Sequence, residues 1–123
     1  MGYRRLCESD YRFMNVIWDN EPVNSTKLVG LCAEALGWKK STTYTMLKKM
    51  CDKGLAQNEN TIVTALIPRE EVEAAESESF VTETFGGSLP RFLVAFLGDK
   101  TISTKEAEEL KNLIDQYCED PRQ

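Results

Sequence analysis

The sequence predicts a mainly helical chain with one small β-hairpin. Three observations carry this reading. Apolar residues recur at i, i+3 and i+4 through residues 9–54. The pattern then changes to a run rich in β-branched residues, Thr61-Ile62-Val63-Thr64. Beyond Pro68 come three further segments of helical pattern, separated by Gly86-Gly87 and Gly98-Asp99-Lys100.

Phe13 with Ile17 and Met14 with Trp18 form i, i+4 apolar pairs on one side of a first helix. Ser9 is its expected cap, with Asp10 favourable in the first turn, and Asp19-Asn20-Glu21-Pro22 ends it. Val23 is expected to form a short bridging strand. Asn24 then caps a second helix with Leu28, Cys32 and Leu36 on its inner side, stopped by Gly37. A turn containing Trp38 leads into a third helix that ends at Gly54. Three short helices with the last two tightly joined make a helix-turn-helix. Leu55-Ala56-Gln57 and Thr61 to Leu66 then pair as a hairpin, with a tight turn near Glu59-Asn60. The combination is a winged helix, assigned to residues 1–68.

Residues 69–123 are expected to form a second, three-helix domain. Its first helix, Arg69 to Phe85, is acidic, and its second, Leu89 to Leu97, is capped by Ser88 and apolar almost all round. In the third, Ser103 and Glu106 form a capping box, and Ala107, Leu110, Ile114 and Tyr117 step along one seam. So much apolar surface on so short a segment must be covered, either by the winged helix or by a second copy. The second solution is favoured, because a two-fold dimer also presents two reading helices to DNA. The expected dimer interface is Phe80, Phe85, Phe92, Leu93, Phe96, Leu110, Ile114 and Tyr117.

The segment Trp38 to Leu55 is the centre of the functional reading. On a helical wheel Thr43, Met46, Leu47 and Met50 share one face, with Cys51 at its edge. The opposite side carries Ser41, Thr45 and Lys48, flanked by Thr42, Tyr44 and Lys49. From Lys39 to Lys53 there are five lysines and one aspartate, a local charge of +4 in a chain of net charge −5. Residues 1–68 hold nine Lys/Arg against seven Asp/Glu; residues 69–123 hold six against thirteen. The acidic half is repelled by DNA and is expected to point away from it. Lysines on an outward helix neutralise phosphates while hydroxyl side chains approach base edges in a major groove. The candidate DNA-binding residues are therefore Lys39, Lys40, Ser41, Thr42, Tyr44, Thr45, Lys48 and Lys49.

Composition argues against an enzyme. The chain has no histidine, no phosphate-cradling glycine loop and no nucleophile motif. Asp10, Asp19 and Glu21 read as helix-end charges. No cofactor, metal site or small-molecule substrate is expected. Four cysteines without a C-x-x-C pair fit free thiols in a reducing compartment. With no apolar run of membrane-spanning length and no signal-peptide core, a cytoplasmic location is expected. The competing non-enzymatic reading is a winged helix used for protein contact without sequence-specific DNA binding, suggested by the low pI and the acidic wing.

Several stretches stand together in order: Ser9 through Val16-Ile17-Trp18, Pro22-Val23, Gly37-Trp38 with Ser41-Thr42 and Thr45-Met46-Leu47, and Lys53-Gly54-Leu55. The most specific is Phe85-Gly86-Gly87-Ser88-Leu89, followed by Leu93-Val94-Ala95-Phe96, then Ser103 to Glu106 and Glu109-Leu110. In these stretches the sequence resembles the penicillinase-repressor family of bacterial transcriptional regulators. The resemblance implies a homodimer with an N-terminal winged helix and a C-terminal dimerisation region. It implies binding to a dyad operator in double-stranded DNA and repression of nearby promoters. It also implies inactivation by cleavage inside a short helix, at a bond matching Ala95–Phe96, with a membrane sensor protease as partner. The sequence departs from the family pattern at three points. Ala95 stands where asparagine is usual. The wing, Gln57-Asn58-Glu59-Asn60, is neutral to acidic where family wings are basic. Only Cys118 lies near the C-terminus, where a copper-sensing branch carries paired C-x-C motifs.

Overall fold

The computed structural model describes residues 6–119. In order, the elements are α1 (Glu8–Asn20), β1 (Val23–Asn24), α2 (Ser25–Leu36), α3 (Lys40–Asp52), β2 (Ala56–Glu59), β3 (Ile62–Ala65), α4 (Arg69–Phe85), α5 (Leu89–Leu97) and α6 (Thr104–Tyr117). The three strands form one antiparallel sheet in the order β1-β3-β2, with Val23 opposite Val63 and Ala56 opposite Ala65. This is a winged helix-turn-helix followed by further helices.

The first helix starts two residues earlier than its sequence suggested. Cys7, not Ser9, is the N-cap, and Asp10 at the third helical position accepts a hydrogen bond from the Cys7 backbone N–H at 3.3 Å. Leu6 explains the shift: it is buried in the core, which fixes where the chain enters the helix. The Ser9 hydroxyl contacts the Cys7 sulfur instead.

The hairpin turn is also displaced by one residue. Asn60 and Thr61 occupy its centre, with φ of 53° and 65°. Positive φ at both positions is the type I′ geometry, whose twist matches that of the flanking strands. Asn tolerates it; a β-branched threonine does not do so readily. Thr61 nevertheless ties the wing to the second helix, since its carbonyl accepts from the Ser25 N–H at 2.8 Å. Glycine at this position keeps that backbone bond and relieves the strain. Thr61→Gly is expected to stabilise the protein by about 1 kcal/mol, read as a higher melting temperature. A lower one would show that the threonine side chain contributes more than the strain costs.

The chain divides into two compact units, Met1–Gly87 and Ser88–Gln123. In the first, Phe13, Met14 and Ile17 of α1 meet Leu28 and Cys32 of α2, Leu47 and Met50 of α3, and Val63 of β3 in one core. The start of α4 joins this core, although the sequence grouped the whole helix with the C-terminal segment. Val72 is fully buried, and Arg69 pairs with Asp19 at 2.6 Å while lying over the Trp18 ring. Trp18 in turn donates its indole N–H to the Ile67 carbonyl at 3.0 Å. Both tryptophans are thus packing residues, as Trp38 stacks on Phe13 with ring centroids 5.8 Å apart.

The second unit holds α5 and α6. Ser88 accepts from the Arg91 N–H and Ser103 from the Glu106 N–H, so both helices have side-chain caps. The Phe92 and Phe96 rings lie 5.8 Å apart. Leu89, Val94, Phe96, Leu113, Ile114 and Tyr117 are exposed on the chain taken alone. Among the described residues, no helix is long and apolar enough to cross a membrane.

Candidate nucleic-acid interface

The turn between α2 and α3 fixes the start of the candidate reading helix. Gly37 closes α2 in the left-handed conformation at φ 71°, and the Trp38 stack on Phe13 anchors the next residue. Thr43 is buried, and its hydroxyl donates to the Lys39 carbonyl at 3.2 Å, so it carries no unsatisfied polar group into the core. Leu47 and Met50 complete the inner face. At the other end Gly54, at φ 81°, closes a Schellman motif. Its N–H bonds to the Cys51 carbonyl, and the Leu55 N–H to that of Met50.

These anchors fix the rotation of α3 about its axis. Lys39 and Lys40 are exposed, and so are Ser41, Thr42, Tyr44, Thr45, Lys48 and Lys49, the six that the wheel places outward. Their charges are not equivalent. Lys48 pairs with Asp52 at 3.3 Å in an i, i+4 contact open to water. Such a pair is worth well under about 1 kcal/mol and is readily exchanged. Lys39 and Lys40 make no ion pair among the described residues. Lys49 and Lys53, one turn apart, turn to the flank facing α1. There Lys49 meets Oδ1 and Lys53 Oδ2 of Asp10, each at 3.0 Å.

Sequence reasoning missed Asp10, which it read as a helix-end charge. Its side chain is only 1 % exposed. Burial pushes the carboxyl upward, but hydrogen bonds from Lys49, Lys53 and the Cys7 N–H outweigh it, and the net shift is downward. A carboxyl held below its unfolded value contributes stability above that value, near pH 4, and loses it as pH falls through the folded one. Asp10→Asn is therefore expected to lower stability at pH 7 by about 2 kcal/mol. The gap from the parent should narrow below about pH 4. Urea titrations at pH 7 and pH 3 check this; an equal gap at both would refute it.

The wing adds little charge. Gln57, Asn58, Glu59 and Asn60 are exposed, and Gln57 donates to Glu59 at 3.2 Å. All four cysteines are free thiols. Burial raises the Cys32 and Cys51 thiols, which suits inert packing residues. Of the residues expected at a dimer interface, Phe80 and Phe85 meet edge-on at 5.8 Å. Leu93 is half-buried, as are Phe85 and Phe92, and the others are exposed. In the second unit Leu89, Leu113, Ile114, Tyr117 and Cys118 line an apolar groove of about 370 Å³. Ala95 and Phe96 lie within α5, both exposed.

The fold and its lysine-bearing third helix define a winged helix-turn-helix of the repressor type. The chain belongs to the penicillinase repressor family, whose profile matches residues 6–116. It is similar to the penicillinase repressor of Bacillus licheniformis, at 21% identity over 92% of this chain and 91% of that one. It is also similar to the methicillin resistance regulatory protein MecI of Staphylococcus aureus, at 20% identity over 90% of this chain and 94% of that one. A third relative, an uncharacterised 16.5 kDa protein of Latilactobacillus sakei, is 24% identical over 89% of this chain and 77% of its own length.

Proposed function

We propose that the chain is a dimeric, sequence-specific DNA-binding transcriptional repressor. In this reading α3 enters the major groove. Ser41, Thr42, Tyr44 and Thr45 face base edges and sugars, while Lys39, Lys40 and Lys48 meet phosphates and Lys49 stands at the margin. The observation that carries it is the outward face of α3, all hydroxyls, one tyrosine and lysines until Asp52, over a buried opposite face. Membership of the penicillinase repressor family, and the chain's similarity to a named repressor and a named regulatory protein, support the repressor role.

A second copy covers α5 and α6. The support is the apolar groove together with the exposed Leu89, Phe96, Ile114 and Tyr117. The acidic character of residues 69–123 keeps that surface off the DNA. Repression ends in this reading when a membrane sensor protease cuts Ala95–Phe96. Its support is the match of the Phe85 to Phe96 stretch with the family.

Fluorescence anisotropy with the duplex upstream of the gene, against a scrambled duplex, tests the function. The promoter duplex should bind at least about a thousandfold more tightly at physiological salt. Equal affinity for the two would overturn the proposal. A dimer without any salt-sensitive DNA binding would favour a protein-contact role, for which the non-basic wing speaks. Lys48→Ala should weaken binding to both duplexes and reduce the salt slope by about one unit per protomer. An unchanged slope would remove Lys48 from the phosphate contacts.

A further inference from the structure

Three of the five lysines between residues 39 and 53 are ion-paired, and two of them share one partner. Lys49 and Lys53 converge on one carboxylate, that of Asp10, which is 1 % exposed. Their side chains keep 44% and 19% of their exposure. Oδ1 takes Lys49; Oδ2 takes Lys53 and the Cys7 N–H. Both oxygens are thus engaged by donors, and the positive end of α1 adds to the hold. The contrast with Lys48 is one of exchangeability. Asp52 is open to water and can release its lysine to a phosphate. Releasing Lys49 or Lys53 from Asp10 weakens the compensation of a buried charge, which is costly.

We infer that Asp10 is a positioning residue that sets the electrostatic footprint of the reading helix. It withholds Lys49 and Lys53 from DNA phosphates and leaves Lys39, Lys40 and Lys48 as the cations that α3 presents. The inference rests on the DNA-binding reading above and deepens it. Its consequence is a low sequence-independent affinity. A cation given to any phosphate strengthens binding to every sequence alike, whereas base-edge contacts discriminate. Holding two lysines back lowers non-specific binding and leaves the contacts of Ser41 and Thr45 to decide.

The test is the salt dependence of anisotropy titrations, with the full chain on the promoter duplex and on a scrambled one. Asp10→Asn frees both ammonium groups. The slope of log K against log salt should steepen by about one to two units per protomer, and affinity for the scrambled duplex at 0.1 M salt should rise about tenfold. The ratio of promoter to scrambled affinity should fall. A merely structural Asp10 would lower the melting temperature and leave the slope of the folded fraction unchanged, and that result overturns the inference. A shallower slope overturns it too, because it shows Asp10 aiming lysines at phosphates. Lys53→Gln gives an independent reading should the Asp10 variant fold poorly. The parent slope retained supports the inference, and a slope one unit shallower refutes it. Failure of the parent to bind salt-sensitively would sink the DNA-binding reading itself, a different outcome from an unshifted slope in the variant.

Discussion

Ile114→Glu is expected to yield a folded chain that sediments as a monomer and binds the promoter duplex at least about a hundredfold more weakly. Ile114 is 54% exposed on the chain alone and lines the apolar groove of the second unit. In the proposed dimer it is covered. A carboxylate forced into such an interface costs several kcal/mol per ion, and each 1.4 kcal/mol is tenfold in affinity. The two-fold axis places the defect in the interface twice. The core of the first unit contains no residue of α6, so far-UV circular dichroism should keep the signal of α1 to α4. Sedimentation velocity beside a binding titration checks both halves. A dimer of unchanged mass would place the interface elsewhere, and a monomer with parental affinity would show that one reading helix suffices.

Phe13→Ala is expected to destabilise the winged helix by about 3–5 kcal/mol, a cost made of lost transfer energy and the cavity left behind. Phe13 has no exposure and stacks on Trp38, which immediately precedes Lys39. The substitution therefore also loosens the entry to α3. The melting temperature should fall by more than about 10 °C. DNA affinity should drop even at temperatures where the chain stays folded, because the reading face loses its fixed rotation. A thermal melt and an anisotropy titration on the promoter duplex measure the two effects. A loss of less than about 1 kcal/mol would mean that the core collapses around the gap.

The parts legible in the sequence were those specified locally. The face of α3 follows from its 3.6-residue period together with glycine at position 54, and both are short-range signals. The caps Asn24, Ser88 and Ser103 are each held by a hydrogen bond two or three residues away. Val23 was legible as a bridging strand, and it pairs with Val63. What stayed hidden depended on distant partners. Asp10 meets lysines 39 and 43 residues away, and an acid in the first turn of a helix already has a local explanation. The start of α1 departs from the local signal because Ser9 is the better intrinsic cap, whereas burial of Leu6 decides the matter. The turn moved to Asn60-Thr61 because the strand pairing sets Glu59 opposite Ile62, which leaves only those two residues for the loop. The acidic helix α4 shares its charge sign with α6, but Arg69 and Val72 tie its first turn to the winged helix.

Footprinting of the promoter duplex with a reagent that methylates guanine N7 tests the central claim most directly, since that atom lies in the major groove. Two helices related by a two-fold axis should protect two clusters of guanines whose centres lie about 10 base pairs, or a multiple of that, apart. Unprotected guanines at a protein concentration that saturates the duplex would contradict the assignment of α3 as the element that reads DNA.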